Sequence, residues 1–142
     1  MSGRVFLDTN VLVYLFDRSA PGKRAVAARL LEERTDDIVL STQVLQEFYV
    51  AVTRKLGKPL TEAEAEAAVR HLSALAVVVV DSEIILAAVV LSRRHRIAFR
   101  DALIVEAALS RGCTTLLSED LQDGRRFGAL AIENPFREVS RR

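Results

Sequence analysis

Four carboxylates stand where a strand-and-helix reading of the sequence places either burial or the carboxyl edge of a strand: Asp8, Glu47, Asp101 and Asp120. Asp8 is the one charge in the apolar run from Val5 to Phe16, and Thr9 and Asn10 follow it. Burying an ionised carboxylate is costly unless something compensates it, so an aspartate at the end of a central strand is a candidate ligand. The competing reading makes Asp8 a helix cap, a role Thr9 or Asn10 would share. Glu47 has Val44 and Ala51 as its i−3 and i+4 neighbours, which puts it on or beside an apolar stripe. Its alternative is a boundary residue that reaches water. Asp101 follows Ile97-Ala98-Phe99-Arg100 and opens a helix, where an aspartate needs no function. Asp120 lies in Ser118-Glu119-Asp120, just past a strand, with Asp123 in the same loop; taken singly, both would be solvated loop acids.

As a set these residues carry more weight. In a parallel sheet the segments leaving the carboxyl ends of the strands converge on one crevice. Carboxylates gathered there repel one another and raise each other's pKa, and a hard divalent cation relieves the repulsion. Oxygen ligands of this kind suit Mg²⁺ or Mn²⁺. Asp81 sits where a helix cap is needed, and Glu106 is about 140° round the helix from Asp101, so neither joins the set.

The elements that would position these acids alternate along the chain. Short apolar strands are expected at about 5–8, 38–40, 77–80, 114–117 and 129–132, the four-valine run being buried on both faces of the sheet. Between them lie helices at about 11–16, 23–34, 42–56 (opened by Ser41 or Thr42), 61–73 (a Thr61/Glu64 capping box), 83–94 (capped by Asp81 or Ser82) and 101–111 (stopped by Gly112). Residues 93–96 read as a basic connection and 118–126 as a polar loop. The alternation predicts an α/β fold, a three-layer α/β/α sandwich on a mainly parallel, roughly five-stranded sheet, in one domain spanning 1–142.

Composition excludes several classes. The longest unbroken apolar stretches, 74–80 and 84–91, are far below the roughly 18 residues of a membrane span. The N-terminus shows no secretory pattern, and the lone Cys113 excludes an internal disulfide, so a reducing cytoplasm is expected. Two histidines and one cysteine make a nitrogen/sulfur zinc site improbable, and no Gly-rich phosphate loop with lysine is present. Net charge is +1, yet 17 of the 20 basic residues are arginine, a side chain suited to phosphate; compositional bias accounts for this equally well. Arg93, Arg94, Arg96 and Arg100 are candidate contacts to a phosphate backbone, with a solvated loop as the alternative for the first three.

Val5-Phe6-Leu7-Asp8-Thr9-Asn10, the internal Glu47, Arg100-Asp101-Ala102-Leu103-Ile104-Val105 and Leu116-Leu117-Ser118-Glu119-Asp120-Leu121 together resemble the PIN-domain ribonucleases, and among them the VapC-type toxins of bacterial toxin–antitoxin operons. The resemblance runs nearly the whole chain, through the closing Gly-Ala-Leu-Ala-Ile-Glu-Asn-Pro-Phe of residues 128–136. It implies a Mg²⁺- or Mn²⁺-dependent endoribonuclease whose acidic quartet is Asp8, Glu47, Asp101 and Asp120, holding one or two ions. Asn10 matches an asparagine that orients an acid, Ser118 a hydroxyl beside the site, and Asp123 a further ligand. Arg100 departs from the aromatic that many relatives carry before the aspartate, and is expected to meet a phosphate instead. A small antitoxin covering the crevice and a homodimer are implied as partners. The rival readings are a PIN-like protein without a toxin role (RNA processing or binding alone) and a phosphatase or phosphoreceiver with Asp8 as nucleophile. The latter commonly wants an acid two residues on, where this chain has Asn10.

Overall fold

Val5, Phe6 and Leu7 are all buried, and they form β1 (Val5–Leu7) at the middle of the sheet. The computed structural model describes residues 3–140, and of Ser140 the backbone alone. After β1 the chain runs through α1 (Thr9–Val13), a 3-10 turn (Tyr14–Phe16), α2 (Pro21–Arg34), a second 3-10 turn (Thr35–Asp37), β2 (Ile38–Ser41) and α3 (Thr42–Arg54). There follow α4 (Glu62–Leu72), β3 (Ala76–Val78), α5 (Ser82–His95), α6 (Phe99–Ser110), β4 (Thr115–Leu117), β5 (Arg126–Phe127), β6 (Leu130–Glu133) and α7 (Arg137–Ser140).

The strand order is β3-β2-β1-β4-β6-β5, and every pairing is parallel except β5 with β6. Val5 pairs with Ile38 on one side and Thr115 on the other. The chain therefore builds outward from β1 through β2 to β3, then crosses back to lay β4 on the opposite flank. Between β1 and β4 the sheet has its topological switch point, the crevice where open α/β sheets take ligands. The architecture is the expected three-layer α/β/α sandwich.

Local chemistry explains the helix limits. Pro21 starts α2 at its first turn, where a missing N–H costs nothing. The Ser41 hydroxyl accepts from the Val44 N–H to cap α3, and Thr61 with Glu64 forms the expected capping box on α4. Val44, Phe48 and Val52, one turn apart, point α3 into the core beside Phe6, Leu40 and Ile104.

Four expectations need correction. The valine strand is not buried on both faces: β3 is an outer strand that, among the described residues, pairs with β2 alone, Ala76 is exposed, and Val79 beyond it is 67% exposed. Residues 93–95 are the last turn of α5 rather than a connection, a place where cations complement the helix dipole, and Arg96 ends the helix in the left-handed region at φ 54°. The presumed polar loop contains β5, which hairpins onto β6 through Gly128 (φ 60°) and gives the sheet a sixth strand. Asp101 does not begin its helix, because α6 starts at Phe99 and puts Asp101 third.

Candidate active site

Asp8 leaves the end of β1 fully buried, at 0% exposure. Its Oδ1 accepts from the Thr9 N–H at 2.7 Å, capping α1, so the capping role and the buried-acid role coincide in one side chain. Its Oδ2 accepts from the Ser118 hydroxyl at 2.7 Å. Ser118 follows β4, the strand next to β1, and its Oγ also accepts from the Asp120 and Leu121 N–H groups at 3.2 Å each. Asn10 secures the same loop from α1: its Nδ2 donates to Asp120 Oδ2 at 2.9 Å, and its Oδ1 accepts from the Glu119 N–H at 3.3 Å. Both adjuncts named from sequence, Asn10 and Ser118, thus hold acids in place.

Glu47 flanks the buried stripe of α3 and turns toward α1 rather than to open water. It accepts from the Thr9 hydroxyl at 2.7 Å and from Gln43 Nε2 at 3.2 Å. Asp101, in the first turn of α6, completes the group.

One side chain meets all three acids. Arg100 Nη2 donates to Asp8 Oδ1 at 2.7 Å and to Glu47 Oε1 at 2.5 Å, and Nη1 donates to Asp101 Oδ1 at 3.2 Å. Nε donates to both Glu47 oxygens, at 3.2 and 3.1 Å, and Nη2 also reaches the Thr9 hydroxyl at 3.2 Å. The expectation that Arg100 is free for a phosphate is corrected, because its guanidinium is committed to the acids. Burial pushes the Glu47 carboxyl up, but hydrogen bonds from Arg100 and Thr9, the Arg100 charge and Gln43 outweigh it and leave the group below the usual glutamate range. Burial likewise works against the charged form of Arg100, and Glu47 and Asp8 more than offset it.

Asp120 stands on the rim, held by Asn10, and lines with Glu47, Arg100 and Asp101 a cleft of about 820 Å³. Asp123 is not brought to the group: its carboxylate accepts from the Asn134 N–H at 2.9 Å and from Arg137 at 3.0 Å, tying the loop to the start of α7. Arg93, Arg94 and Arg96 are exposed on and just past the last turn of α5 and do not line the cleft. Thr9 and Gln43 are participants that sequence reasoning missed. Gln43 lies one turn before Glu47 on the same helix face, a spacing that signals the contact. Its Oε1 is buried without a hydrogen-bond partner.

The donors suit a hard divalent ion, being carboxylate oxygens gathered at one mouth of the sheet. Their present arrangement does not yet form such a site. Among the described residues no group of three or more His, Cys, Asp or Glu side chains is disposed to hold a metal, and a guanidinium stands between Asp8, Glu47 and Asp101.

The sequence from residue 5 to 127 matches the model of the PIN domain family. None of the curated proteins matches the chain significantly. Among solved structures, a toxin–antitoxin complex from Klebsiella pneumoniae superposes with a TM-score of 0.70 at 20% identity, covering 92% of this chain and 97% of that one. The DNA-bound VapBC of Salmonella typhimurium gives 0.66 at 20% identity, with 94% and 99% covered. VapC20 of Mycobacterium tuberculosis, described as a sarcin-ricin loop cleaving toxin, gives 0.65 at 22% identity over 79% and 86%. At these identities the likeness is one of fold. The family match, which spans β1 to β5 and contains every acid at the crevice, decides membership: the chain belongs to the PIN domain family.

Proposed function

We propose that this chain, acting as a single PIN domain, is a divalent-metal-dependent endoribonuclease and the toxin of a toxin–antitoxin pair. The observation that carries the reading is the meeting of Asp8, Glu47 and Asp101, drawn from three separate segments, at the switch point of the sheet, with Asp120 on the rim. Asp8, Glu47, Asp101 and Asp120 would hold Mg²⁺ or Mn²⁺, as one or two ions. Such an ion, when bound, activates water and stabilises charge on a scissile phosphate. Asn10 and Ser118 orient Asp120 and Asp8 for that task. Arg93, Arg94 and Arg96, exposed at the end of α5, are the proposed contacts to the RNA backbone.

The toxin role and a small antitoxin as partner are supported by likeness to toxin–antitoxin assemblies; a homodimer as the assembly and the cytoplasm as the compartment complete the proposal. No helix among the described residues is long and apolar enough to cross a membrane. A phosphoaspartate at Asp8 is disfavoured, because the carboxylate is fully buried with both oxygens engaged.

The test is incubation of the purified protein with RNA in Mg²⁺ or Mn²⁺, with EDTA and Asp101→Asn as controls. Expected is internal cleavage that both controls abolish while Asp101→Asn keeps its thermal transition. Cleavage indifferent to EDTA and to Asp101→Asn refutes the reading.

A further inference from the structure

We propose that Arg100 is a built-in counter-cation standing where the divalent ion would bind, so that the ion and the Arg100 side chain occupy the acid cluster in turn and not together. The inference rests on the metal-dependent reading above and adds a competitor from within the chain.

Three features of Arg100 carry it. The first is position. Its guanidinium donates to Asp8, Glu47 and Asp101 at 2.5–3.2 Å, so it fills the space that those oxygens enclose. A hard ion needs the same oxygens at roughly 2.0–2.1 Å, which leaves no room for five N–H donors between them. The second is charge. Three carboxylates against one guanidinium leave the cluster formally negative, so a doubly charged ion remains attracted to it.

The third is freedom to leave. Arg100 is the second residue of α6, where the positive end of the helix dipole disfavours a cation. The acids hold it there against that field; the helix does not. Its side chain is 35% exposed and borders the open cleft, so rotation about its own χ angles takes it out while the main chain stays in place. The Arg100 carbonyl stays anchored by Gln43 Nε2 at 3.2 Å, which pins the backbone about which the side chain would swing.

An internal competitor weakens the apparent affinity by the fraction of molecules in which it is displaced. If Arg100 is in place in nine molecules of ten, removing it tightens metal binding about tenfold. The experiment is isothermal titration of the full chain with Mn²⁺ at pH 7, without RNA, comparing wild type with Arg100→Gln. Expected is binding at least about tenfold tighter in the variant, with a larger rise in its thermal midpoint on adding Mn²⁺. Equal or weaker binding in Arg100→Gln overturns the competition and leaves the nuclease reading standing. Absence of Mn²⁺ binding in both proteins overturns the competition and the metal-dependent reading together.

Should Arg100→Gln fail to fold, metal titration of the wild-type protein decides the matter, with the charge-conserving Arg100→Lys used only to assign one signal. The ¹⁵N–¹H signal of Arg100 Nε, identified by its loss in Arg100→Lys, is followed through a Mg²⁺ titration. Migration toward the position of a solvated arginine in step with metal binding supports displacement. A signal that stays in place at saturating Mg²⁺ overturns it.

Discussion

Replacing Asp8 by asparagine removes one charge and almost no volume, and the surrounding hydrogen bonds determine what that does to stability. Oδ1 accepts from the Thr9 N–H and from Arg100 Nη2, and Oδ2 accepts from the Ser118 hydroxyl, each at 2.7 Å, with Arg100 Nη1 a longer donor to Oδ2 at 3.4 Å. An asparagine amide must place its NH₂ on one of these two sides. Toward Thr9 and Arg100 it meets an N–H and a guanidinium, both donors. Toward Ser118 it meets a hydroxyl that has one hydrogen and two lone pairs, with both lone pairs already given to the Asp120 and Leu121 N–H groups. Either orientation buries a donor against a donor, at about 1–3 kcal/mol.

Loss of one carboxylate also relieves repulsion among the acids, but Arg100 already neutralises part of that. Net destabilisation of about 1–3 kcal/mol is expected, roughly 3–10 °C in the thermal midpoint for a chain of this size. The assay is thermal unfolding at pH 7 in EDTA for Asp8→Asn, Ser118→Ala and the double variant. Without the Ser118 hydroxyl the close opposed donor is gone and only the more distant Arg100 Nη1, at 3.4 Å, still faces that side, so Asp8→Asn should cost about 1 kcal/mol less in that background. A midpoint raised by Asp8→Asn, or additivity within about 0.3 kcal/mol, refutes the reasoning.

Two further outcomes follow from individual contacts. Asn10→Ala frees the Asp120 carboxylate from its one side-chain donor among the described residues; RNA cleavage should fall about ten- to a hundredfold with the thermal midpoint changed by no more than about 2 °C. Burial pushes the Cys113 thiol from 9.0 up to about 11, beyond what Arg4 and Arg111 offset. The unfolded chain therefore loses this proton first, and stability should decline as pH rises from 9.0 towards 11, with a shallower decline in Cys113→Ala by urea unfolding.

The convergence of Asp8, Glu47 and Asp101 was legible because it needs little beyond direction. Parallel strands all present their carboxyl ends to one edge, and each acid lies just past a strand or within a helix that leaves that edge or returns to it. Position along a segment does not give the reach of a long side chain, so Arg100 was misplaced. Adjacent helical residues point about 100° apart, which suggests that Arg100 and Asp101 face different ways. The arginine is long enough to bend back across that angle to Asp8, fixed by β1 far away in sequence. Asp123, named as a further ligand, shares a loop with Asp120, but Arg137 and the Asn134 N–H draw it toward α7, a pull that loop membership does not reveal. Strand β5 escaped notice because two residues carry no periodicity, and the outer position of β3 depends on a strand order that the alternation of elements does not specify.

Arg100 also changes what the metal is required for. Acids packed at one mouth of a sheet would ordinarily make the fold depend on its ion, because removing the ion leaves like charges facing one another in a poorly solvated crevice. Here the chain brings its own cation to Asp8, Glu47 and Asp101, and further donors from Thr9 and Ser118 reach the same oxygens. The acids are thereby compensated before any ion arrives, so the fold should be indifferent to chelation. Thermal unfolding of the wild type at pH 7 should stay cooperative in EDTA with a midpoint within about 1 °C of the untreated protein, while Arg100→Gln in EDTA should melt several degrees lower as the acids lose their shared partner. A wild-type protein that loses its cooperative transition in EDTA would show that an ion, and not the guanidinium, holds those carboxylates together.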